Sequence, residues 1–141
     1  MTASRLLTAL ASDRKTTVID EDHLGRMTIG DRRLEREVLE LFLRQTTIML
    51  NRIVGAEPPL AAAAAHTLKG SARGIGAWRV ARAAELLENA AGGDGGEDES
   101  WRDSGHDLDE AIRELKAASL EASAAIAARL TVLLAELGRE R

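Results

Sequence analysis

The chain has 141 residues, the size of one ordinary domain, and a formal net charge of -4 with acidic and basic residues mixed along it. It has no cysteine, which excludes disulfides and thiolate zinc sites and fits a cytoplasmic protein. Phe42, Trp78 and Trp101 are its only aromatic residues and it carries no basic stripe, so the stacking platforms and cationic tracks of nucleic-acid binders are excluded.

Alanine and leucine dominate, so propensity favours helix throughout. Residues 1–17 read as a lead-in, a short helix or a disordered segment. Its one apolar cluster, Leu6, Leu7 and Leu10, is too weak for a signal peptide. No run approaches the ~18 apolar residues of a membrane span, so no membrane contact is expected. Asp20 can cap a brief helix over Glu21 to Leu24, which Thr28-Ile29-Gly30 ends. Asp31 caps a long helix whose apolar face is read as Leu34, Val38, Leu41, Phe42, Ile48 and Met49, with Gln45 in its middle. Gly55 ends that helix, and Pro58-Pro59 opens the next.

The next helix runs from about Pro59 to Arg73. Leu60, Ala64, Thr67, Leu68, Ser71 and Ile75 form its inward stripe, and Gly74-Ile75-Gly76 turns the chain. A further helix covers Trp78 to Ala91, with Val80, Ala81, Ala84, Leu87 and Ala91 inward. A glycine- and acid-rich stretch, GGDGGEDESWRDSG, then marks a mobile loop over 92–107. From Leu108 to Leu137 one stripe stays in phase (Leu108, Ile112, Leu115, Ser119, Ala122, Ile126, Leu130, Leu133, Leu137), which argues for a single long helix. The fold class is all-α: an antiparallel four-helix bundle over 18–141 with a short N-terminal helical extension. The pattern shows no second apolar seam, so a monomer is expected.

The segment that carries chemistry is HTLKGSARGIGA, His66 to Ala77. His66, Lys69, Gly70 and Arg73 stand at i, i+3, i+4 and i+7 on one helix face. That face lies opposite the inward stripe, so His66 points to solvent. Ala62 and Ala63 share the face one turn back, leaving the imidazole sterically open to a second protein. A glycine inside a helix costs roughly 1 kcal/mol against alanine, and close approach of a partner would give Gly70 its reason. Neutral imidazole is a good nucleophile. Lys69 can offset phosphoryl charge as a flexible cation.

His66-Thr67-Leu68-Lys69-Gly70-Ser71-Ala72, followed by Gly76-Ala77, resembles the signature of histidine-containing phosphotransfer (HPt) domains, HxLKGS(S/A)xxxGA. Val80-Ala81, Ala84 and Leu87-Glu88 resemble the family's next helix. Ile19-Asp20, Gly30-Asp31, Leu34 and Leu39-Leu41-Phe42 resemble its opening segment. Ala72 stands where a second serine is commoner.

The resemblance implies that His66 is phosphorylated on its outer ring nitrogen, that Lys69 helps hold the phosphoryl group, and that Gly70 leaves room for the partner. It further implies that receiver domains of response regulators or hybrid histidine kinases are the partners. It implies no cofactor in this chain, since magnesium belongs to the receiver, and no enzyme activity of its own. Ala62, Ala63 and Arg73 are candidate partner contacts.

Gln45 is a candidate supporting residue for the His66 ring, with pairing to Thr67 or Ser71 as the plainer reading. Glu88 reads as a helix-end cap or ion-pair partner, His23 and His106 as surface residues, and Trp78 and Trp101 as packing residues. Two other functions stay open: a binding-only adaptor that docks on a receiver or kinase, and an enzyme using His66 on a small phosphorylated substrate. The latter has no oxyanion donors or second acid–base group in support.

Overall fold

A computed structural model describes residues 18–92 and 105–139. Among them five helices occur and no strand: α1 (Glu21–Met27), α2 (Arg32–Ile53), α3 (Pro58–Ile75), α4 (Trp78–Ala90) and α5 (Gly105–Arg139). Short links make α2, α3 and α4 run antiparallel in turn. α3 packs between α2 and α4, and α5 packs on α2 and α4, so α5 lies across the bundle from α3. α1 seats on α3. The long acidic stretch from Asp94 to Glu99 and Trp101 lie outside the described residues, as do residues 1–17. Residues 105–107, expected in the loop, are the first turn of α5, and of the His106 side chain nothing is described.

The helix starts follow from capping. Asp20 accepts from the His23 backbone N–H at 3.1 Å, and Asp31 accepts from those of Arg33 and Leu34 at 2.9 and 3.2 Å. Asp20 also ties three elements together. Its carboxylate accepts from Trp78 Nε1 at 3.0 Å, and its backbone N–H donates to Gly76 O at 2.9 Å. The Trp78 N–H, followed by the His23 backbone N–H, holds the Asp20 carboxyl below the usual range. His23, read as a surface residue, is half-buried with its ring centroid 4.9 Å from that of Trp78.

Two helix faces differ from the sequence reading. On α2 the buried positions are Glu35, Leu39, Phe42, Thr46, Met49 and Ile53, while Leu41 and Ile48 are exposed and Leu34 and Val38 half-buried. The face is turned because a carboxylate sits inside it. Glu35, 7% exposed, takes a two-pronged contact from Arg129 of α5 at 3.1 and 3.2 Å. Thr46 is inside because its hydroxyl donates to Phe42 O at 2.7 Å. On α3 the buried residues are Ala61, Ala62, Ala64, Ala65, Leu68, Ala72 and Ile75, with Leu60 65% exposed and Thr67 exposed. The core face is rotated about 70° from the predicted stripe. Alanine carries little hydrophobic signal, so Leu60 misleads the pattern.

α5 is one helix, as its unbroken stripe predicts, with Leu115, Ser119, Ala122, Ile126 and Leu133 buried. By length and composition it is apolar enough to cross a membrane, which the sequence reading did not find. The cause is the run of alanines and leucines after Ala117, broken by few charges. Its buried stripe makes it the wall of a bundle.

Gly76 closes α3 with φ 78°, and a Cβ there would lie 2.9 Å from Asp20 Cβ and 3.0 Å from Asp20 O. Gly76→Ala should therefore lower unfolding free energy by about 2 kcal/mol, combining the left-handed backbone with the clash. Urea denaturation checks this; an unchanged midpoint would mean that Asp20 does not anchor the turn.

Candidate functional site

The packing of α3 on α4 decides which side chains surround His66. Ala61, Ala65 and Ala72 of α3 and Ala81 and Ala84 of α4 are buried, with Leu68 and Leu87 among them. Small side chains at a helix contact let the backbones come close. A glutamate near the end of α4 can then reach across to the middle of α3.

Glu88 does so. Its Oε1 lies 3.0 Å from His66 Nδ1 and its Oε2 lies 2.9 Å from Lys69 Nζ. The Lys69 ammonium, and after it the His66 ring, hold the Glu88 carboxyl below the usual glutamate range, against the opposing effect of partial burial. At neutral pH it is therefore a carboxylate, able only to accept. Nδ1 therefore carries a proton, and in the neutral ring this leaves the Nε2 lone pair free. The His66 side chain is 68% exposed, and no described residue partners Nε2. The ring is thus fixed at one nitrogen and open at the other.

Lys69 was expected as a solvated cation. It is instead 15% exposed and ion-paired, because its position on α3 faces α4. Arg73 is exposed and stands 3.9 Å from Glu85. Gly70 is exposed, and a Cβ there would meet nothing within 4 Å. Ala63 is exposed, whereas Ala62, expected beside it on the open face, is 8% exposed. Ala62 lies on the α4 side of His66, so it is covered rather than available to a partner.

Gln45 is half-buried on α2 and hydrogen-bonds none of His66, Thr67 and Ser71; the partner of the ring is Glu88. Thr67 donates to Ala63 O instead. Glu88 was read as a helix-end cap or ion-pair partner, and it is an ion-pair partner, of Lys69; what that reading did not give was its contact with the His66 ring, whose signal was the Leu87-Glu88 pair near the end of α4. On the other flank of His66 a shallow groove is lined by Met49, Arg52, Leu60, Ala63, Ala64 and Thr67. Among the described residues no cluster of His, Asp or Glu is placed to hold a metal ion.

The His66 ring is mostly exposed and lines neither of the pockets found among the described residues, so a molecule that meets it would have to dock over α3. A family model for the Hpt domain matches residues 37–119. No match was found among curated proteins or among solved structures.

Replacing Glu88 with alanine should release Nδ1 and let the His66 ring move toward the tautomer protonated on Nε2. Nitrogen chemical shifts of the imidazole read this directly. In the unaltered chain the Glu88 carboxyl should titrate below the ordinary ~4.3 of a glutamate. Because its folded value is depressed, the stability it contributes is present above about pH 4.3 and is lost as pH falls through the depressed value. Lys69→Ala should move that titration upward; an unmoved value would remove Lys69 from the pair.

Proposed function

The chain belongs to the Hpt domain family, and we propose that His66 accepts a phosphoryl group from a receiver-domain aspartate, or from a kinase, and passes it to a receiver aspartate. Hpt domains act in histidine phosphotransfer within phosphorelays as carriers rather than catalytic domains. The observation that supports transfer through His66 is the ring held at Nδ1 by Glu88 with Nε2 exposed.

The chemistry runs as a displacement at phosphorus. The Nε2 lone pair forms the N–P bond while the P–O bond of the aspartyl phosphate breaks and its electrons return to the aspartate carboxylate. The ring then carries positive charge, which the Glu88 carboxylate at Nδ1 stabilises. In the reverse direction the same contact keeps Nδ1 protonated, so the departing group is a neutral imidazole. Lys69 keeps a cation beside the ring and offsets the phosphoryl charge.

Gly70 and Ala63 leave the approach to Nε2 open, Arg73 stands at its edge, and the groove of Met49, Leu60 and Thr67 offers an apolar seat beside it. The receiver supplies its own magnesium ion, and this chain adds no cofactor. On this reading the chain works in the cytoplasm, and neither nucleic acid nor membrane is among its partners.

A binding-only adaptor would need the docking face but not the fixed tautomer. The Glu88 contact therefore favours transfer.

His66→Gln should fold like the unaltered chain, since the exposed position costs under ~0.5 kcal/mol, and should accept no label from a phosphorylated receiver. In the unaltered chain the label should be acid-labile and alkali-stable, as an N–P bond is. Undiminished labelling of His66→Gln would overturn the reading.

A second pair of variants tests the approach path. Gly70→Ala should stabilise by up to ~1 kcal/mol, because helix propensity improves and the Cβ meets open space. Gly70→Gln should melt no lower than the unaltered chain, yet its single-turnover transfer should fall about tenfold or more, because displacement by ~1 Å at the reacting centre is already costly. Fast transfer by Gly70→Gln would mean that the receiver does not pass over this face.

A further inference from the structure

The solvent face of α5 carries a second apolar seam. Ala117, Leu120, Ala124, Ala127, Thr131, Leu134 and Gly138 are all exposed, Leu120 at 73% and Leu134 at 53%. They recur at alternating steps of three and four, the spacing of a helix-pairing seam. At about 100° per residue they lie opposite the buried stripe of Leu115, Ser119, Ala122, Ile126 and Leu133.

Over some 33 Å of helix this face carries no charged side chain in its centre. The glutamates nearest to it are turned back onto the protein's own bundle, Glu121 to Arg79 of α4 and Glu136 to Arg32 of α2. Arg113 and Lys116 stand at the start of the seam and Arg139 at its end.

We propose that this face pairs antiparallel with the same face of a second copy of the chain. Three observations choose that occupant. First, an uncharged face gives an acidic or basic partner nothing to recognise, whereas a second copy is equally uncharged. Second, the two leucines of the seam are symmetric about Ala127: Leu120 and Leu134 each stand seven residues from it. A two-fold axis at Ala127 sets Leu120 against the partner subunit's Leu134 twice over, with small residues between, which is the self-complementarity a two-fold interface requires. Third, antiparallel helices oppose their dipoles favourably.

The position in the fold also suits it. α5 lies across the bundle from α3, so pairing leaves both His66 faces open and joins two carriers back to back. One helix face of this length buries less than the ~800 Å² per partner of a standard interface, so dissociation in the micromolar range is expected. Lys116 and Arg139 of opposite subunits approach at the two ends, so added salt should tighten the dimer by screening them.

Because the chain has no cysteine, single replacements report the register cleanly. Sedimentation equilibrium from ~1 to ~200 µM should show a monomer–dimer equilibrium. Leu120→Glu and Leu134→Glu should each shift it at least tenfold toward monomer with unchanged melting. Ala127→Cys should cross-link to itself on oxidation. Leu120→Cys and Leu134→Cys should cross-link when mixed and not alone. A monomer at every concentration overturns the proposal, as does cross-linking of Leu120→Cys with itself, which would mean a parallel pair. Co-sedimentation of a monomer with phosphatidylcholine vesicles also overturns it and assigns the face to lipid. None of these readouts depends on phosphotransfer.

Discussion

The contact between α3 and α4 is made of alanines, and the rest of the site depends on that. Ala61, Ala65 and Ala72 meet a partner helix that buries Ala81 and Ala84. A leucine at one of these positions would push the helices apart, and Glu88 would lose its reach to Nδ1. The burial that each alanine supplies is small. Leu68 and Leu87 in the same layer, with Leu39, Phe42 and Leu115 around them, supply the apolar area the alanines lack.

α3 must then serve three neighbours. It packs against α4 through alanine, against α2 near Met49, and it presents His66 to solvent. A helix with leucine on all its apolar positions could not do this, because its exposed side would be as sticky as its core. The sequence meets this with a run of alanines from Ala61 to Ala65 and larger apolar residues only at Leu60, Leu68 and Ile75. The end of the helix is equally constrained. Gly76 reverses the chain in a left-handed conformation, and Asp20 closes over it from α1 while taking the Trp78 N–H. The N-terminal extension is therefore a clasp on the turn that sets where α4 begins.

Element identity was legible because caps and breakers are local. Asp20, Asp31, Pro58 and Gly76 mark helix ends by chemistry that needs no tertiary context. Facing was less legible, since it depends on partners far along the chain. Glu35 is inside only because Arg129 stands 94 residues away to meet it, and no periodicity of apolar residues can announce a buried carboxylate. Leu60 drew the predicted stripe on α3 toward itself because the alanines around it are nearly silent in hydropathy. Spacing set His66, Lys69 and Gly70 on one side of α3, and the structure leaves His66 and Gly70 exposed but turns Lys69 to α4. What the spacing could not give was Glu88, 22 residues on, since its meaning arises only when α4 folds back. The outer seam of α5 was missed for the same reason as the α3 face: most of its members are alanine, and only Leu120 and Leu134 stand out once their exposure is known.

Glu88, His66 and Lys69 meet in one three-way contact between α3 and α4. Here one oxygen of Glu88 faces Lys69 and the other faces Nδ1. The lysine and the histidine thus share one carboxylate, whose own titration they hold down. The hydrogen bond that selects the tautomer is kept. In the proposed transfer, positive charge developing on the ring would meet a carboxylate already in place. In that proposal Lys69, turned between α3 and α4, both anchors Glu88 and stands beside the group the ring would carry.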